Sequence, residues 1–184
     1  MVRIRGWHQV WMMIRAQWLQ RRNGLARAGV FLGLVGAIVG LWLGQGAIAW
    51  AEDYNKEFLV NADFSQRDLT DSSFTKANLR SSQFVDANLQ GVSFFGANLE
   101  DADLTRSNLR NATLDTARLV NANLTQAILE GAFAFNTKFN GATIEGADFT
   151  DVLLRGDMQD LLCSVASGTN AVTGRETRET LECE

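Results

Sequence analysis

Few residues in this 184-residue chain could do chemistry. The two cysteines, Cys163 and Cys183, stand twenty residues apart near the C-terminus. There they could close a disulfide, act as a redox-responsive thiol pair, or supply part of a metal site. A metal would need two further ligands, and the one histidine, His8, lies at the opposite end of the sequence. The rest of the chain has no imidazole to serve as a general base, no nucleophile–base pair and no phosphate-binding loop. The sequence therefore predicts no enzyme, no metal and no cofactor. A different kind of chemistry is written at Ala49-Trp50-Ala51, an A-x-A stretch of the kind a signal peptidase cuts, which would leave Glu52 as the first residue of the mature chain.

The elements around that bond agree with export. Residues 1–27 form a basic, Trp-rich region. Residues 28–51 carry no charge and have the character of a signal peptide or a transmembrane anchor. The first 51 residues hold six arginines and no acid, +6, whereas the remainder holds 21 acidic against 11 basic residues, −10. Basic before and acidic after a hydrophobic segment is the positive-inside arrangement, so the body should lie on the far side of a membrane. Either the segment is removed at Glu52 or it stays as an anchor, and membrane attachment is expected only in the second case. Arg21-Arg22 could form a twin-arginine export signal or simply flank the segment. Trp7, Trp11, Ile14 and Trp18 share one helical face and suit a membrane interface, unless translation starts at Met12 or Met13.

Residues 52–156 are built on a period of five. Every fifth residue from Leu59 to Leu154 is apolar, twenty in succession, and nineteen of these are bulky. The residue two before each one is mostly Ala or Ser. Two inward residues flanking one outward residue make a short extended segment, and the two remaining outward residues must turn the chain. Four turns bring it round a square.

Ala62-Asp63-Phe64, Ala102-Asp103-Leu104, Ala122-Asn123-Leu124 and Ala147-Asp148-Phe149 resemble the A(D/N)LXX motif of the pentapeptide-repeat proteins. The resemblance implies an all-β solenoid, a right-handed quadrilateral β-helix, here of about five coils and roughly 24 Å long at strand spacing. Adding twenty to any central residue reads off the core. Side 1 stacks Leu59, Leu79, Leu99, Leu119 and Phe139; side 2, Phe64, Phe84, Leu104, Leu124 and Ile144. Side 3 stacks Leu69, Leu89, Leu109, Leu129 and Phe149; side 4, Phe74, Phe94, Leu114, Ala134 and Leu154.

Three departures stand out. Glu57 and Arg67 occupy inward positions and predict an irregular first coil, because neither can be buried unpaired. Ala134 under-fills side 4. Phe95, Phe133, Phe135 and Leu153 fall at outward positions of that same side, as a candidate contact patch, unless Phe133 or Phe135 turns inward to fill the space beside Ala134.

Residues 157–184 lose the period. Asp157-Met158-Gln159-Asp160 reads as a helix start with Gly168 as its stop, and Thr173 as the start of a second short helix through Leu181. A helical cap would cover the exposed backbone at the end of the stack. This segment resembles the tails of thylakoid-lumenal pentapeptide-repeat proteins of cyanobacteria and chloroplasts. That resemblance implies a helical C-terminal cap closed by a Cys163–Cys183 disulfide, and a location in the thylakoid lumen or periplasm.

The functional expectation is a non-catalytic structural or protein-interaction module that presents rigid β-helix faces to a protein partner, through the apolar patch or the acidic surface. Two alternatives stand beside it. Some members of the family are acidic DNA mimics that inhibit DNA-binding enzymes, although export argues against a nucleic-acid role here. A thiol-redox-responsive regulator would act through Cys163 and Cys183. Oligomeric state is left open.

Overall fold

The computed structural model of the chain describes residues 51–184. The basic Trp-rich region, the hydrophobic segment up to Trp50, and Ala49 of the cleavage motif lie outside the described residues. Ala51 and Glu52 open the described part and are exposed.

The five-residue period is converted into a twenty-residue ladder. Parallel bridges join each residue preceding a centre to its equivalent one coil later, from Asp53↔Ser73 and Phe58↔Asn78 through to Phe133↔Leu153. At each rung the central N–H donates across the coils, as from Leu104 to Asn123 (2.7 Å), and the bridged N–H donates back, as from Asn123 to Ala102 (2.9 Å). Each side carries one bridged residue rather than a long strand, because two of every five residues are used in turning. The body is thus a quadrilateral parallel β-helix.

The corners explain the polar positions of the motif. The N–H of Ala102 donates to the carbonyl of Leu99 (3.1 Å), which closes a four-residue turn. The third residue of each such turn has positive φ, as at Asn61 (58°), Asp101 (59°) and Gly131 (69°). Positive φ at that position defines a type II turn and is tolerated best by Gly, Asn and Asp. Asn136 is the exception in the series from Lys56 to Asp151. Its N–H donates instead to the Asp115 carboxylate (3.0 Å), so the corner beside Ala134 is built differently from the others.

The core follows the four columns. Phe64 stacks on Phe84 (5.1 Å between ring centroids) and Phe74 on Phe94 (5.2 Å), while neighbouring sides meet edge to face. Both arrangements are favoured by the ring quadrupole. Leu takes over in the later coils. The small inward residues are equally buried, and where Ser replaces Ala its hydroxyl is satisfied: Ser82 donates to Leu79 (2.6 Å) and Ser107 to Leu104 (2.8 Å).

The first coil corrects one expectation. Its rungs at Asp53, Phe58, Asp63 and Asp68 all pair with the next coil, and its backbone is regular. Glu57 and Arg67 are accommodated because no described coil lies above them; both are exposed, and the Arg67 guanidinium sits 5.4 Å above the Phe64 ring.

Beyond the ladder, α1 spans Gly156–Cys163 and α2 spans Thr177–Thr180. α1 ends sooner than Gly168 and α2 begins later than Thr173. Between them the chain closes on itself: Asn170 donates to Arg175 (2.9 Å), Gly174 to Asn170 (2.9 Å), and Thr169 bridges Glu176. Among the described residues no helix is long and apolar enough to cross a membrane.

Candidate interaction surface

Because most inward positions are taken up in packing, the sides differ chiefly in their outward residues. On side 4, Phe95, Phe133, Phe135 and Leu153 all point outward and expose 38%, 44%, 43% and 49% of their surface. Neither Phe133 nor Phe135 fills the space beside Ala134, which is itself buried. Thr137 packs at that corner, buried, with its hydroxyl donating to the Leu114 carbonyl (2.7 Å). The four large apolar groups therefore lie along one side of the β-helix.

Charge divides along the same lines. The outward positions of sides 2 and 3 hold nine acidic and two basic residues, −7, whereas those of sides 4 and 1, with the Tyr54 rung that precedes Phe74 on side 4, hold four acidic and six basic, +2; the exposed Glu52, Glu57 and Arg67, at inward positions that no described coil covers, narrow this contrast to −6 and 0. On the acidic half the two outward cations pair locally, Arg106 with Asp86 (2.7 Å) and Arg110 with Glu130 (3.3 Å), whereas the exposed Arg67 of side 3 has no carboxylate partner among the described residues. The Arg106 hydrogen bonds hold the Asp86 carboxyl below its ordinary value, but both groups are exposed, so the pair adds little stability. On the other half Arg118 pairs with Glu100 and Arg155 with Asp157. Lys56, Lys76, Arg80 and Lys138, all exposed, have no carboxylate partner among the described residues.

The remaining polar cluster holds the C-terminal segment to the last coil. Arg175 reaches Asp148 (3.2 Å), Glu130 (3.4 Å) and the Thr150 hydroxyl (2.8 Å). The Asp148 side chain is fully buried. Burial raises its carboxyl, but hydrogen bonds from the Thr150 hydroxyl and N–H, together with the Arg175 charge, hold it below the ordinary carboxylate value. Asn170, also buried, donates to the Gly146 carbonyl (2.8 Å) and accepts from the N–H groups of Val172 and Thr173 (3.0 Å each). Sequence reasoning singled out neither role. Cys163 and Cys183 are joined in a disulfide with Cα atoms 5.6 Å apart, and neither thiol is free.

No group of three or more His, Cys, Asp or Glu residues that could hold a metal occurs among the described residues. A cleft of about 140 Å³ lies between Val152–Leu154 and the residues Gln159, Thr180 and Leu181. It is well below the roughly 300–1,000 Å³ of a small-molecule site.

Comparisons with known proteins agree with the ladder. A family model described as pentapeptide repeats matches residues 59–94, 82–119, 93–131 and 117–156. A solved pentapeptide repeat protein from the thylakoid lumen of Arabidopsis thaliana is 43% identical. The alignment covers 74% of this chain and 88% of that one, with a TM-score of 0.58. Thylakoid lumenal 15 kDa protein 1, chloroplastic, from Arabidopsis thaliana is 60% identical over 48 residues, 26% of this chain and 21% of that protein. Thylakoid lumenal protein TL20.3, chloroplastic, from the same plant is 49% identical over 43 residues, 23% of this chain and 15% of that protein. The matched segments thus span about a fifth or less of the two curated relatives.

Proposed function

Since the chain belongs to the pentapeptide-repeat family, whose members fold as right-handed quadrilateral β-helices and are generally structural or interaction modules rather than enzymes, we propose that it is a non-catalytic protein-interaction module on the lumenal or periplasmic side of a membrane. The observation that carries the reading is the outward alignment of Phe95, Phe133, Phe135 and Leu153 on one side of a β-helix whose inward positions are otherwise used up in packing. Exposed apolar groups aligned in this way mark contact surfaces. The thylakoid-lumenal relatives support the location.

The same proposal includes the finer organisation. Residues 1–27 and a hydrophobic helix over 28–51 deliver the chain, the bond before Glu52 is cut, 52–156 form five coils, and 157–184 form a disulfide-closed cap. The described residues fit this processing: the Glu52 N–H donates to the buried Ser72 hydroxyl (3.0 Å) and its carbonyl accepts from Ser73 (2.8 Å), so the ladder can begin at Glu52 with nothing before it.

The test is affinity capture from native membranes with wild-type protein and with Phe95→Ser plus Phe135→Ser. Loss of a protein from the variant supports the reading. An unchanged set of bound proteins removes the patch from consideration.

A further inference from the structure

Resting on the interaction-module reading, we propose that the Cys163–Cys183 disulfide is a redox latch: a protein dithiol reduces it, α2 leaves the last coil, and newly bared apolar surface extends the side-4 patch at Leu153. The sequence holds two cysteines, and both are spent on this bond. Each is only partly buried, so an attacking thiolate can reach the pair, and disulfides left accessible are the reducible ones.

What the bond holds is weakly held otherwise. α2 has four residues, too few to persist as a helix without tertiary contacts. Its other ties include the buried Leu181, the Thr180 hydroxyl accepting from the Phe149 N–H (3.1 Å), and the Leu181 carbonyl accepting from Gln159 Nε2 (2.7 Å). Against these, the Thr177 hydroxyl is buried with no hydrogen-bond partner, a cost that exposing α2 to water removes.

Opening changes the surface on offer. The cleft at this end sets Phe149, Val152 and Leu154 against Thr180 and Leu181. Taking Thr180 and Leu181 away leaves Val152 and Leu154 uncovered on either side of Leu153, which is already exposed, and deprives the Phe149 N–H of its acceptor. One bond thereby sets how far the apolar surface of side 4 reaches.

The exchange balances between the two proteins. A thiolate of the dithiol attacks one sulfur of the pair, the Cys163–Cys183 bond breaks, and the other cysteine leaves as a thiolate and takes up a proton. The second thiolate of the dithiol then attacks the mixed disulfide, closes its own disulfide and releases the first cysteine, so two electrons and two protons pass to Cys163 and Cys183. The Arg178 guanidinium donates to the carbonyls of Cys163 (2.9 Å) and Glu184 (3.3 Å). It sets a cation next to both cysteines, where it favours the departing thiolate.

The test treats the native protein with a purified C-x-x-C dithiol oxidoreductase and follows thiol alkylation, trypsin cleavage after Arg178 and the emission of an apolar-surface dye. Both cysteines should become alkylated without denaturant. Cleavage after Arg178 should rise roughly tenfold, with Arg106 and Arg110 in the middle of the stack uncut, and dye emission should rise about twofold. Reoxidation should reverse all three, and Cys163→Ser plus Cys183→Ser should match the reduced wild type with no reductant present. A bond that the oxidoreductase opens only in denaturant would overturn the latch. So would a reduced chain that resists trypsin at Arg178 and binds no more dye than the oxidised one. Neither result touches the module reading, which falls instead if Phe95→Ser plus Phe135→Ser leaves the set of captured proteins unchanged.

Discussion

The first and last coils have the same backbone, yet their ends are treated differently. Above the first coil the N–H groups of Phe58, Asp63 and Asp68 have no backbone partner among the described residues, and Phe58 is 79% exposed. Below the last coil the C-terminal segment supplies partners: Ser167 accepts from Gly146 (2.8 Å), Asn170 donates to Gly146, and the Thr180 hydroxyl accepts from Phe149 (3.1 Å). A solenoid makes each coil a template for another, so an end must be covered or made unattractive to pairing. This chain covers one end with a stapled segment. At the other, acidic side chains stand on three of the four rungs: Asp53, Asp63 and Asp68.

The largest test of that contrast compares two equivalent core leucines. Leu104→Ala in the middle of the stack should cost about 2–5 kcal/mol through its cavity, whereas Leu59→Ala, at a partly buried residue of the first coil, should cost about 1 kcal/mol or less. Chemical denaturation of both variants checks this, and equal losses would erase the distinction. Next, replacing Cys163 and Cys183 by Ser should cost about 3 kcal/mol in the chain-entropy account, with the melt of the last coil affected before that of the first. Asn170→Ala should cost about 1–3 kcal/mol, because it strands the Gly146 carbonyl and two N–H groups.

A smaller effect concerns pH. The folded carboxyl of Asp148 lies below its ordinary value of 3.8, so its contribution is fully present above that value and is lost as pH falls through the lower, folded one. Thermal midpoints should be flat from about pH 8 to 5 and fall below about pH 4. In Asp148→Asn that acid-limb loss should shrink. Smallest of all, Phe95→Ser and Phe135→Ser should each change stability by about 0.5 kcal/mol or less, since those side chains point outward from the β-helix and are part-exposed.

Much of this was legible in sequence. The period forces the twenty-residue register and the four columns, because only one residue in five is bulky and only small residues fit two positions before it. What could not be read were features in which distant residues meet without periodicity. Asn170 works through the carbonyl of Gly146 and the turn that follows it; Arg175 works through Asp148, which the motif presents as one more outward acid. The expected irregularity at Glu57 and Arg67 failed for a related reason: with no described coil above them these two inward positions stay exposed, although the central Phe64 and Leu69 of the same coil are buried. Asn136, likewise, looks like any other corner residue in the sequence, and only the nearby Asp115 carboxylate reveals why its turn differs.

The claim that among the described residues one end is open and the other is closed by a disulfide-stapled segment is tested most directly by amide hydrogen exchange, oxidised and reduced, along the whole stack. The central amides from Leu79 to Leu129 should exchange slowest, those of Phe58, Asp63 and Asp68 should exchange fast in both states, and Gly146 and Phe149 should be protected only while Cys163 and Cys183 are joined. Protection of Gly146 and Phe149 that survives reduction, or a first coil as protected as the middle, would contradict it.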